Sequence, residues 1–440
     1  MAANAIVFSQ DANAPASAQS KQTESNSRHK AHHIEVPDED SASEPAELTA
    51  AEAKIEKKDY AAAESSLHKF VDTNPQSYVG WFDLGFVENA LGKVDDSIAA
   101  YRKSVLAKPD VFESNLNLGL QLAKTGQPEA EKYLRAATSL KPTAHVAEGQ
   151  YRAWLALAQE IRSSMPDEAL SDYQQAAKLQ PKDPEPHLDA GQLFEKDNRY
   201  ADAEREYKQA LTLDPESADA AIGLANIYMR GRKFPEAEDY LRKVQTSHGD
   251  SAPVHIQLGR VLAAENKNDA AIGELEAGVK LAPGDESARR DLADLYAAAG
   301  KNELAETSYR ELLVTHPTEA ELHRLLGEAL LKEKKFEDAQ KEFTMAVKLK
   351  PDLGLAYGGL AFAAGANKDY ALELRALDAR VKTIPETPVT YFMRASAYDH
   401  LRDFKNAAAN YHLFLNAAQG KYPEQEWQAQ HRLIAIERKK

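Results

Sequence analysis

The chain has 440 residues, 43 % hydrophobic and 28 % charged, which is the composition of a soluble globular protein with ample material for a large core. Lys and Arg total 54 against 69 Asp and Glu, and the net charge of −15 argues against nucleic acid or an anionic membrane as partner, because both select basic surfaces. No cysteine is present, so disulfides, thiolate metal sites and a cysteine nucleophile are excluded.

Residues 1–44 come first in the chain. From Gln10 to Ser43 they are rich in Ala, Ser, Gln, Asp and Glu and show no periodicity. Such a segment cannot bury enough apolar area to offset its ordering entropy, so a disordered tail is expected. Val7-Phe8-Ser9 followed by Gln10-Asp11-Ala12 has the small-residue character of a signal-peptide cleavage end whose front is missing. Two readings therefore stand: a cytoplasmic tail, or the remnant of an export signal on a periplasmic or secreted protein. His29, His32 and His33 form the only chemically notable cluster of the tail. With no helix or carboxylate to set a geometry, they read as linker in preference to a metal site. The longest uncharged run, Leu353 to Asn367, has 15 residues and is too short to span a bilayer, so no direct membrane insertion is expected.

Beyond the tail the sequence is periodic. Pro75, Pro109, Pro142, Pro181, Pro215, Pro283, Pro317, Pro351 and Pro385 follow one another at 34, 33, 39, 34, 68, 34, 34 and 34 residues. Twelve positions before these prolines stand Ala63, Ser97, Ala130, Ala169, Ala203, Ala271, Ala305, Ala339 and, out of pattern, Glu373. Each beat predicts two amphipathic helices. Trp81, Leu84, Gly85 and Glu88 share one helical face, a turn follows at Leu91-Gly92-Lys93, and Ser97, Tyr101 and Ser104 face back from a second helix. Proline stops that second helix, since it lacks an N–H and clashes with the preceding turn. Small residues let two helix backbones approach closely. Leu67, Tyr101, Leu134, Tyr173, Tyr207, Leu241, Leu275, Tyr309, Phe343, Leu377 and Tyr411 fill the remaining volume.

This pattern resembles the tetratricopeptide repeat family, whose unit is a 34-residue helix–turn–helix. Eleven repeats are expected over 45–421, with an insertion at 145–150 and a C-terminal capping helix over 422–440. The expected fold is all-α, a right-handed α-solenoid in which helix–turn–helix repeats stack into a superhelix. Gly249 and Gln419 stand where proline is expected. The fourth repeat enters its second helix through Ser164-Met165-Pro166-Asp167, which reads as a capping box with proline in the first turn and marks the expected kink. In the capping helix, Trp427, Leu433, Ile434 and Ile436 are the apolar residues, while Arg438, Lys439 and Lys440 would oppose the negative end of its dipole.

The resemblance implies a groove lined by the first helices, facing it with residues one and five positions after the Trp81 landmark. In the N-terminal half these are Phe82, Phe86, Leu116, Leu120, Leu155, Gln159, Leu188, Gln192, Ile222 and Asn226. Ile256, Arg260, Arg290, Asp294, Arg324, Glu328, Gly358, Phe362, Phe392 and Ser396 follow. An extended or helical peptide is the expected occupant, anchored on Phe82 and Phe86 and paired through Arg260, Arg290 and Arg324. The competing reading packs Phe82, Leu116 and Leu155 between helices and ties the arginines to Asp294, Glu328 and neighbouring acids. The Lys and Asn set of a chaperone carboxylate clamp is missing from any three consecutive repeats. Phosphate-loop, nucleophile-elbow, dinucleotide and zinc-protease motifs are absent, and His187, His255 and His323 sit too far apart for one ion. The expected function is a non-catalytic scaffold for other proteins or peptides, without cofactor or metal. The alternative is an exported accessory subunit of bacterial secretion, pilus or polysaccharide machinery.

Overall fold

A computed structural model describes residues 45–247 and 249–437, and among these are 23 α-helices and no strand. The tail with His29, His32 and His33, and the basic residues Arg438 to Lys440, lie outside the described residues. The chain divides into two compact units after Ser247. In the first, α1 (Ala46–Glu56) pairs with α2 (Tyr60–Thr73), α3 (Tyr78–Ala90) with α4 (Val94–Ala107), and α5 (Phe112–Lys124) with α6 (Ala130–Ser139). There follow α7 (Val146–Ile161) with α8 (Pro166–Leu179), α9 (Glu185–Lys196) with α10 (Tyr200–Leu213), and α11 (Ala218–Arg230) with α12 (Phe234–Ser247). The second unit pairs α13 (Ala252–Ala264) with α14 (Asn268–Leu281), α15 (Glu286–Ala298) with α16 (Asn302–Thr315), and α17 (Ala320–Lys332) with α18 (Phe336–Leu349). It ends with α19 (Gly354–Ala366) and α20 (Tyr370–Arg380), α21 (Pro388–His400) and α22 (Phe404–Ala418), and a single last helix, α23 (Pro423–Glu437). Each unit is thus an α-solenoid of stacked hairpins. None of the described helices is long and apolar enough to cross a membrane.

Ten of the eleven hairpin turns carry one residue at left-handed φ: Lys58, Gly92, Gly126, Asn198, Arg232, Asn266, Gly300, Lys334, Lys368 and Arg402. In each, the following N–H reaches back five residues to a helical carbonyl, as Lys93 does to Glu88 at 2.8 Å. That bond satisfies one of the orphan carbonyls at a helix end and fixes the reversal. The α7–α8 joint is the exception and corrects the expected capping box. Ser164 belongs to the turn that finishes α7 and donates its hydroxyl to the Ile161 carbonyl at 3.2 Å. Met165 is the residue that caps α8, without a side-chain bond, and Pro166 opens the helix. Residues 146–150 form the start of α7, which reaches 16 residues.

Packing follows the small-residue beat. Ala63, Ser97, Ala130, Ala169, Ala203, Ala271, Ala305 and Ala339 are fully buried, and Ser97 donates its hydroxyl to the Gly85 carbonyl at 2.7 Å. The large residues of the second helices, from Leu67 to Tyr411, are no more than 4 % exposed, so they are core throughout. Two of them show how hairpins interlock. A Cβ on Gly191 of α9 would lie 2.8 Å from the Tyr207 ring, and one on Gly223 of α11 only 2.4 Å from it. Phe343 sits in the same way between Gly327 of α17 and Gly359 of α19, at 2.9 and 2.3 Å. First helices also pack on first helices: α1 on α3, α5 on α7 and α9 on α11 in one unit, and α13 on α15, α17 on α19 and α19 on α21 in the other. Second helices make no comparable pairs, so within each unit the stack bends toward its first-helix side.

Glu373 fills a small-residue position and is 5 % exposed. It is accommodated because Gly365 has no side chain; a Cβ there would stand 2.7 Å from the carboxylate. Burial pushes the Glu373 carboxyl up to about 7.

Two predictions follow from this packing. Gly359→Ala should destabilise the protein by about 1–3 kcal/mol through overpacking against Phe343. Gly273→Ala in α14, which meets nothing within 4 Å, should stabilise it by about 0.5–1 kcal/mol. Urea unfolding of the full-length variants reads both. For Glu373 the folded protein holds its proton more tightly than the unfolded chain. Its contribution is therefore intact near pH 4.5 and is lost as the pH rises through about 7. Against Glu373→Gln, the wild type should lose on the order of 3 kcal/mol between pH 4.5 and 8, measured as the difference between the two urea-midpoint profiles.

Candidate functional site

The residues facing the inner side of each unit are those of the first helices, because these helices pack closest to one another. In the N-terminal unit Phe82 is 1 % exposed and its ring lies 5.6 Å from that of Tyr101. This corrects the expectation of an anchor at Phe82: the ring is part of the core. Leu116, Leu155 and, in the other unit, Ile256 are likewise buried. Phe86 is half-buried, edge-on to Tyr60 at 6.3 Å, and Leu120 is half-buried. Gln192 is exposed, and Asn226 donates to the Glu195 carboxylate, which burial pushes up and the Tyr207 hydroxyl, at 2.8 Å, holds down.

Polar inner residues form a ladder between consecutive first helices. Gln159 of α7 donates to Asp189 of α9 at 2.8 Å and to Glu185 at 3.2 Å. Arg260 of α13 makes the equivalent reach to Asp291 of α15 at 2.6 Å, with a second bond to Ser287 at 2.9 Å. Arg290 of α15 grips Glu319, the residue capping α17, through two bonds of 2.8 and 2.7 Å. Arg324 is bound by Glu321 and Glu328 of its own helix and is 9 % exposed. Asp294 accepts the Tyr309 hydroxyl at 2.6 Å. Burial raises the carboxyls of Asp291 and Asp294 above the usual range, with Arg260 and the Tyr309 hydroxyl respectively opposing it. The Glu319 bonds hold Arg290 above its ordinary value despite burial. Each arginine proposed for a partner is therefore engaged by an acid of this chain.

A second ladder explains the periodic histidines. The side chain at the Trp81 register reaches back six residues to the carbonyl at the joint between hairpins. Trp81 Nε1 donates to Pro75 at 2.9 Å, Asn115 to Pro109 at 2.8 Å and Arg289 to Pro283 at 2.7 Å. His255 and His323 do the same to Gly249 and Pro317 through Nε2, at 2.9 and 3.1 Å. Their Nδ1 atoms meet Glu274 and Glu342 at 2.7 Å, and His187 meets Glu206 at 2.8 Å. For His255, burial opposes the charged ring, but the Gly249 carbonyl and the Glu274 carboxylate outweigh it and raise its pKa.

What the ladders leave uncommitted lies at the C-terminal end. Phe362 of α19 is 53 % exposed, with Phe336 at 6.4 Å. Phe392 of α21 is partly buried on Phe414 and Tyr411, at 5.1 and 6.1 Å. Beyond it α21 and α23 enclose a cleft of about 570 Å³ lined by Phe392, Ser396, Trp427, His431 and Arg432 among others. Helix α23 packs on α22 through Ala429, Leu433 and Ile436 and is tied to α21 by Arg432, which donates to Asp399 at 2.5 and 2.6 Å. Trp427 and Ile434 remain 60 % and 50 % exposed, and the Trp427 ring lies tilted against that of His431, centroids 4.0 Å apart. The sequence placed Trp427 in the cap; its outward position was readable from Leu433 and Ile436, which define the opposite face of α23.

The family model of the tetratricopeptide repeat matches residues 48–112, 188–252, 256–320 and 290–353. Among solved structures, the chain is similar to YrrB, a TPR protein with an unusual peptide-binding site, at 24 % identity over 42 % of this chain and 95 % of that one, with a TM-score of 0.39. A tetratricopeptide repeat protein from Parabacteroides merdae is similar at 20 % identity over 57 % and 98 %, TM-score 0.41. Yeast Tom70 is similar at 16 % over 90 % and 95 %, TM-score 0.33. No curated protein matches the chain.

If the arginine ladder holds hairpins together, Arg290→Ala should lower stability by about 1 kcal/mol, as expected for a half-exposed pair. It should also speed amide exchange in the first turn of α17, where Glu319 loses its partner, while exchange in α3 and α5 stays unchanged.

Proposed function

Since the chain belongs to the tetratricopeptide repeat family, whose members are generally non-catalytic protein-interaction scaffolds, we propose that its docking surface for a peptide segment is the face of the C-terminal unit that runs from Phe362 across the cleft between α21 and α23 to Trp427. The observation that carries this reading is the contrast along that face. Arg260, Arg290 and Arg324 spend their hydrogen bonds within the chain, whereas Phe362 and Trp427 keep more than half of their surface in water. Large exposed aromatics beside a cleft supply apolar area that a partner can cover, and such side chains dominate binding energy at interfaces. The chemistry selects a peptide with an aromatic or branched aliphatic side chain for the space between Phe392 and Trp427. His431 and Ser396 stand at its edge to meet backbone groups.

Selection of displayed peptides on the full chain is the test. Recovered sequences should share one large apolar residue, and Trp427→Ala or Phe362→Ala should each weaken a selected peptide by about tenfold or more, read by fluorescence anisotropy. Undiminished binding to the double variant would place the docking surface elsewhere.

A further inference from the structure

In the N-terminal unit Glu64 and His68 stand one helical turn apart on the same face of α2, and Glu88 meets them from the last turn of α3. One ligand atom from each lies within 4.8 Å of the others. His68 Nε2 is 3.6 Å from Glu88 Oε1, too long for a hydrogen bond. Glu88 is 3 % exposed, and its second oxygen is buried without any hydrogen-bond partner. Register makes this more pointed. Residues equivalent to Glu88 in other hairpins include Leu122, Ile161, Phe194, Tyr228, Leu262 and Leu330, which are core. A carboxylate at a core position with one oxygen unpaired is destabilising unless something else meets it.

We propose that Glu64, His68 and Glu88 form a zinc-binding site that ties the first hairpin to the second. One imidazole and two carboxylates match the donors zinc takes, and they leave a position for water. Calcium fits poorly, since it takes six to eight oxygens. His68 keeps its side chain 53 % exposed and so leaves a path from solvent. The Lys93 ammonium sits 2.6 Å from Glu64 and neutralises it in the structure described; being 47 % exposed, Lys93 can swing into water as the metal arrives.

Titration calorimetry of the full chain with zinc chloride tests the site. The background for every arm is the variant His29→Ala, His32→Ala, His33→Ala, which removes the imidazoles of the tail. That variant should bind one equivalent of zinc. Adding His68→Ala, which changes a half-exposed side chain and leaves the core intact, should weaken binding by roughly tenfold or more, since loss of an outer-shell group alone costs that much. Glu88→Gln should do the same. Absence of zinc binding in the tail variant, or binding unchanged by His68→Ala, would overturn the proposal.

Discussion

The structure depends on one steric fit. A large side chain on each second helix must be received by a gap in its own first helix, and in the clearest cases by a gap in the next first helix as well. Tyr207 between Gly191 and Gly223, and Phe343 between Gly327 and Gly359, show that the gap is the size of a missing methyl group. A ring held on both sides cannot be buried by one hairpin alone, so the hairpins stabilise one another in sequence. The end of such a stack exposes a face made to be covered. Helix α23 covers it with Ala429, Leu433 and Ile436 and turns Trp427 outward.

Polar groups set the angle at which neighbours meet. The reach of Gln159 to Asp189 and that of Arg260 to Asp291 join equivalent positions in the two units. Side chains at the Trp81 register add a clasp on the joint carbonyl. These bonds run between hairpins on the bent inner side, where a change of curvature would break them. An inner arginine is therefore a coupling element first. A partner could recruit it only by displacing an acid of this chain, at a cost comparable to the gain. Uncommitted apolar surface carries no such opposing term, which is why the aromatic end of the face is the stronger docking candidate.

Most of the architecture was legible from periodicity alone. The proline beat located the hairpins, and the small and large registers identified the core, since both are dictated by packing geometry that each repeat must satisfy separately. The inner face was less legible for a physical reason. A register position says which way a side chain leaves its helix, not how far the adjacent helix stands from it. Phe82 shares its register with Arg290, which keeps part of its side chain in water, but is swallowed by Tyr101 and the core around Leu118 and Leu122. The acids that engage Arg260 and Arg290 lie in the following hairpin, so no local pattern announces them. Ser164 looked like a cap because the residue types fit, but its hydroxyl closes the turn after α7 on the Ile161 carbonyl, and Met165 takes the cap position.

The two buried glutamates sharpen the distinction between a tolerated exception and an unfinished one. Both replace residues that are small or apolar at the same register elsewhere, and burial raises both carboxyls to about 7. Glu373 has its space made for it by Gly365, and no charged neighbour contributes to its shift. It behaves as a neutral side chain filling a hole, and no ligand is required to explain it. Glu88 stands instead against Glu64, with a histidine at ion-pair distance and an oxygen that nothing meets. Protonation would relieve one charge there yet leave an imidazole and a second carboxylate converging on the same point. A cation shared by all three satisfies the whole arrangement, and it does so across the boundary between two hairpins, where a cross-link adds most to a stack held together by nearest neighbours.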